Sequence, residues 1–215
     1  MRSSSVATAV LLLAGALAGC QEPDVPERTQ PYEFRLSPAD PVFRWPVGVP
    51  VRFWAEPSGA LPEYVTTGML SWANQFLYGE FYGELASDSL SADVLVSYQG
   101  GAPPDAPLTD DPPVQVCTGV TTIPTTQRDE DGRLRYTEPI RISVRWFSAD
   151  PSDIANCLQR VVAHEMGHAL GIFSHSPTAT DLMALPVVVR EPSRADRSTV
   201  QLLYHTVPNI LPYQP

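Results

Sequence analysis

The sequence predicts an α+β domain built on a mixed, mostly parallel twisted sheet of about five strands. One helix packs on the sheet, a second carries the chemistry and a third closes the chain. Two observations predict this class. Short runs of alternating apolar residues are separated by proline-rich breaks, whereas two longer runs repeat apolar residues at helical spacing. The order of these runs is strand, helix, strand, hairpin, helix, with no internal repeat. The 215 residues suffice for one domain with a proper core and are short for two.

The first 20 residues, MRSSSVATAVLLLAGALAGC, stand outside the fold. Arg2, an apolar run from Val6 to Leu17 and small residues before Cys20 make an export signal too short to span a membrane stably. The ending LAGC resembles a bacterial lipobox. That resemblance implies lipidation of Cys20, or else a plain signal cut nearby. It also implies attachment to the bacterial cell envelope, and Gln21 rather than Asp after the cysteine makes the outer membrane the default. Residues 21–40, rich in Pro and charge and without periodicity, read as a flexible tether. The domain is expected to occupy residues 41–215.

Val49, Val51 and Phe53 alternate with Pro50, Arg52 and Trp54, which predicts a strand with one buried face. Next, Tyr64, Met69, Trp72, Phe76 and Leu77 recur at helical spacing behind Pro62, a residue suited to a first turn. SADVLVSYQG is a short, central strand. The stretch GAPPDAPLTDDPP breaks all regularity; its Asp105, Asp110 and Asp111 make either a calcium site or a solvated loop. Two strand segments, VQVCTGVTTIPTT and RLRYTEPIRISVRW, flank a hairpin turn at Asp131-Gly132. Asp150 and Pro151 then suit the N-cap and first position of a helix on which Ile154, Leu158, Val162, Met166 and Leu170 repeat every fourth residue, with Gly171 as its stop. A last helix runs through RADRSTVQLLYHT, with Val200, Leu203 and Tyr204 on one face.

Net charge and cysteines narrow the function classes. The formal charge is −10 and all 14 basic residues are Arg, dispersed along the chain, which argues against a nucleic-acid partner. With Cys20 assigned to lipid, Cys117 and Cys157 remain, and an even pair in an exported chain is most simply a disulfide. Closing its loop of about forty residues contributes about 4 kcal/mol by chain entropy.

The chemistry concentrates in HEMGHALGIFSHS, which holds three of the four histidines. His164 and His168 lie four apart on one helix face, so both imidazoles can address one cation. Glu165 is placed to act on a water without binding the metal. Zinc in such a site lowers the pKa of a water to about 7 and polarises a carbonyl, while a carboxylate moves the proton. Catalytic zinc takes three protein ligands, so one remains to be found. His205, in the last helix, reads as a surface residue.

HExxHxxG followed closely by the Met-containing TDLMALP resembles the metzincin metalloproteases, within them the matrixin-like branch. The resemblance spans about residues 41 to 204 and is specific from His164 to Met183. It implies two helix histidines, a glutamate base, a third histidine after a glycine turn at Gly171, and a Met-turn at Met183 beneath the metal. It implies a zinc-dependent endopeptidase acting as a monomer on a protein or peptide laid antiparallel to the sheet's edge strand.

The family position of the third histidine is Ser174; the imidazole comes one residue later, at His175. Either a longer turn still delivers His175, or the ligand is lost and the site is weak or dead. Ser176 follows His175 and Met183 comes eight residues after it, as in matrixin-like sequences, so the irregularity is confined to the turn. Loops absorb one added residue at little cost, which favours His175 as the third ligand. Leu185 stands where the family usually has Pro, so side-chain preference does not carry over, and no Tyr stands two residues after Met183. A non-catalytic surface lipoprotein that retains the fold for binding is the alternative from another class. A zinc hydrolase acting on another bond, such as a cell-wall cross-link, is a third reading.

Overall fold

The computed structural model describes residues 29–214. The export signal, Cys20 and residues 21–28 of the expected tether lie outside the described residues. No helix among the described residues is long and apolar enough to cross a membrane.

The architecture is α+β, with a mixed five-stranded sheet and three helices. Strand β1 (Val51–Ala55), β2 (Gly83–Leu85), β3 (Val94–Tyr98), β4 (Cys117–Thr122) and β7 (Ile140–Trp146) form the sheet in the order β2-β1-β3-β7-β4. Neighbours run parallel except β4, which pairs antiparallel to β7 and forms one edge. β3 is central, as its apolar run predicts. β1 starts two residues later than the alternation suggests, because Pro50 has no N–H to give the ladder; the first bond is Val51 N–H to the Tyr82 carbonyl, 3.0 Å.

The Asp131-Gly132 turn exists, with Gly132 at φ +77°, but it joins strands shorter than expected. β5 (Thr126–Arg128) and β6 (Leu134–Tyr136) pair across it, and β6 takes β8 (Ile210–Leu211) as a parallel partner in a separate three-stranded sheet. The two long segments flanking the turn thus divide: their outer parts pair as β4 and β7, their inner parts as β5 and β6.

Helix α1 (Leu61–Ala73) buries Leu61, Tyr64, Val65, Met69 and Trp72. It ends before Phe76 and Leu77, which the spacing placed on the same face. Phe76 is buried by its own route, against the ring of Tyr204 at 4.7 Å, whereas Leu77 faces solvent. Helix α2 (Pro151–Ala169) starts where the sequence predicts: the Asp150 carboxylate accepts the Ser152 amide at 2.9 Å. Ile154, Leu158, Val162 and Met166 bury its inner face. The two helices pack against each other closely enough that a Cβ on Gly68 would stand 2.6 Å from the Met166 sulfur. The Trp72 indole N–H also reaches the Ala163 carbonyl at 2.8 Å. Helix α3 (Arg194–Tyr204) opens with a capping box between Ser193 and Asp196 and buries Val200, Leu203 and Tyr204, as expected.

A disulfide joins Cys117 on β4 to Cys157 on α2, with Cα atoms 5.8 Å apart. Part of the segment expected to be tether, residues 21–40, is packed instead: Phe34 is only 5% exposed and belongs to the core, and Tyr32 donates to the buried Asp196 carboxylate at 2.7 Å. Residues 41 onward therefore do not contain the whole packed unit. An apolar residue of this early segment joins the core, which local composition does not reveal.

Candidate metal centre

The C-terminal end of α2 sets the geometry. Gly171 N–H bonds the His168 carbonyl at 3.0 Å and Ile172 N–H bonds the Gly167 carbonyl at 3.1 Å, a Schellman closure of the helix. Gly171 sits at φ +111°, and a Cβ there would strike the Phe43 carbonyl oxygen, so glycine is required on both counts. The chain then leaves the helix axis and returns with His175.

His164, His168 and His175 converge. Each offers a ring nitrogen within 4.8 Å of the others, and the ring centroids are 4.9, 5.3 and 5.0 Å apart. Among the described residues this is the only such group of histidine, cysteine and acid side chains; Asp105, Asp110 and Asp111 do not gather into one. His205 lies apart, exposed, with its ring 3.5 Å from a Glu80 oxygen.

The donor set fits a divalent cation. His164 Nδ1 meets the Leu182 carbonyl at 2.7 Å and His168 Nδ1 the Ile172 carbonyl at 2.6 Å. A carbonyl can only accept, so both rings carry their proton on Nδ1 and turn a lone pair on Nε2 inward. Burial pushes the imidazolium forms down, to about 4 for His164 and about 3 for His168, and lowers His175 as well. Neutral imidazoles in a tripod are the ligands that zinc and its neighbours in the transition series prefer.

Glu165 lies beside the tripod without joining it. Its side chain rests against β4, where Gly119 leaves room: a Cβ on Gly119 would stand 2.5 Å from Glu165 Cγ and 2.6 Å from Oε1. Thr121 Oγ1 lies 2.6 Å from Oε2 and 3.0 Å from the Glu165 backbone carbonyl, and donates to them. Burial pushes the carboxyl up to about 7, while the bonds from Thr121 pull it partly back. A cation on the histidines would draw it down further. Without a cation the carboxyl thus stands above the ordinary carboxylate range, chiefly because it is buried.

Met183 is fully buried against α2, the helix that carries His164 and His168. A Cβ on Gly167, between them in sequence, would collide with its sulfur. The Met183 carbonyl accepts the Ser176 amide at 2.9 Å, and the loop beyond contains a cis Leu185-Pro186 peptide. The cleft over the histidines has a volume of about 490 Å³, of the size that takes several side chains of a chain molecule or one small ligand. Leu36, Val120, Ile123, Phe173 and Leu185 supply its apolar walls, and Glu165 is the one acidic residue lining it.

The residues anticipated from sequence alone, His164, Glu165, His168, Gly171, His175 and Met183, thus lie together. Gly119, Thr121, Leu36, Asp196 and the carbonyls of Ile172 and Leu182 were not anticipated. Only Asp196 carries a readable signal, as the acid of the Ser193-x-x-Asp196 capping box. No protein-family model and no curated protein matches this chain.

Proposed function

We propose that the protein is a zinc-dependent endopeptidase of matrixin-like, metzincin type, hydrolysing peptide bonds with Glu165 as general base and then general acid. The observation that carries the reading is the convergence of His175 on His164 and His168 despite the longer turn, with Glu165 at their side. When bound, zinc supplies Lewis-acid polarisation of the scissile carbonyl and makes water a nucleophile near neutral pH. His164, His168 and His175 would hold it, and Met183 supports the first two from below.

The protein's own groups account for the rest of the mechanism. Glu165 Oε1 takes a proton from the attacking water and delivers it to the leaving amine, its carboxylate oriented by Thr121. β4, an edge strand with its outer backbone groups unpaired within the sheet, offers an extended peptide main-chain bonds along the cleft. The apolar walls exclude water around the reacting bond. Export to the bacterial envelope, with a lipid on Cys20, belongs to the same proposal and rests on the first 20 residues alone.

The test compares the full-length chain in detergent, loaded with zinc, with its Glu165→Ala variant on denatured protein substrates. Glu165→Ala should keep the metal and lose cleavage by a factor of at least about 100. Absence of cleavage by either form, with zinc bound, would point to a fold kept for binding. Cleavage undiminished in the variant would remove Glu165 from the chemistry.

A further inference from the structure

The turn that delivers His175 is not self-supporting. Two of its residues give their amides to one acceptor, the Phe34 carbonyl: Phe173 N–H at 2.6 Å and Ser174 N–H at 3.1 Å. The Ser174 hydroxyl donates to the neighbouring Glu33 carbonyl. Three bonds therefore tie the turn to two consecutive residues some 140 positions earlier. The anchor is firm because the Phe34 ring is buried in the core.

The same segment then projects Leu36 into the cleft over the histidines. Leu36 is 79% exposed, so it contributes little to folding. Its surroundings nevertheless hold its backbone in place. Arg35 forms an ion pair with Glu33 at 2.8 Å and donates to the Pro38 carbonyl at 2.5 Å, and the Ser37 amide bonds the Asp40 carboxylate at 2.8 Å. An exposed leucine on a braced loop at the rim of a reactive cleft is placed for contact with something outside the chain.

We propose that residues 33–36 are part of the active site. The Phe34 and Glu33 carbonyls position the turn that bears His175, and Leu36 is a specificity-determining wall that selects an apolar side chain in the substrate. This rests on the zinc-peptidase reading above and names a determinant that the metal-binding motif does not contain. Leu36, Phe173 and Leu185 make this part of the cleft apolar, with no cationic group lining it to receive an acidic side chain. A substrate with a leucine-like side chain would be preferred over one with an acidic side chain at that position.

Binding of zinc-chelating peptide hydroxamates, read by titration calorimetry on the full zinc-loaded chain, tests the wall without requiring turnover. Two probes differ only in carrying a leucyl or an aspartyl side chain. The wild type should favour the leucyl probe at least about tenfold. Leu36→Lys should narrow that ratio at least about tenfold, and Leu36→Met should preserve it, both with zinc affinity unchanged. An unchanged ratio in Leu36→Lys would overturn the wall. Positioning is read separately, from zinc affinity against a competing chelator. Ser174→Ala, which loses one clamp bond, should bind zinc about tenfold more weakly, and equal affinity would overturn the clamp. A wild-type chain that takes up no zinc would instead overturn the reading of the site itself, and this inference with it.

Discussion

The Asp196 carboxylate accepts the Leu182 amide at 2.7 Å, and the carbonyl of the same Leu182 meets His164 Nδ1 at 2.7 Å. The N-terminal cap of α3 is thereby connected, through one residue, to the first histidine of the tripod. Asp196 also accepts from Met183 N–H at 3.3 Å, Tyr32 Oη at 2.7 Å and the Ser193 amide at 2.8 Å, and it is fully buried. Such a residue sets both stability and ring orientation. Asp196→Ala should cost about 3 kcal/mol in urea unfolding, since four donors lose their acceptor. It should also weaken zinc binding about 10- to 100-fold, as removal of ligand-orienting partners does.

Gly119 makes a narrower prediction. A methyl group there meets Glu165 Cγ and Oε1 and a Val161 methyl at 2.5 to 2.6 Å. Something must move, and the side chain with freedom to do so is Glu165. Gly119→Ala should lower peptide cleavage at least about 100-fold, while zinc affinity stays within about threefold of wild type. A peptidase assay paired with a chelator competition separates the two.

The disulfide ties β4, which bears Gly119 and Thr121, to the first half of α2. Replacing Cys117 and Cys157 by Ser frees a loop closed across 40 positions and should cost about 4 kcal/mol, mainly through the unfolded chain. Urea unfolding of the double variant and of the wild type under reductant should agree.

Alkaline pH should weaken the fold. Burial raises the phenol pKa of Tyr32, Tyr98, Tyr136 and Tyr204, with the Asp196 charge adding to the effect at Tyr32. Above a pH of about 10 the unfolded chain releases protons that the folded chain retains. The native state then binds more protons, and stability falls as pH rises. Thermal unfolding followed from pH 8 to 11 should show Tm declining only above about 10. Tyr32→Phe should shallow that decline.

Much of the candidate metal centre was legible because it is local. His164, Glu165 and His168 share one helix turn, and the Asp150 cap and Gly171 stop bracket that helix in the sequence. The turn to His175 was legible only as a question, since its answer lies in carbonyls at residues 33 and 34. Proline and charge made that segment read as tether, while one buried Phe decided its fate. β2 and β8, of three and two residues, carry too few side chains for any periodicity. Gly119 and Thr121 looked like ordinary strand residues because what they touch, Val161 and Glu165, lies far along the chain, across a sheet-to-helix contact.

In the proposed site the longer turn still delivers His175 as a ligand. The most direct measurement of this is the zinc affinity and cobalt(II) visible spectrum of the full chain beside its His175→Ala variant. The wild type should bind one equivalent, show the intense d–d bands of a four-coordinate site, and exceed the variant in affinity by more than about 100-fold. Equal affinities and matching spectra would mean that His175 does not bind the metal, and that the extra residue removed it from the site.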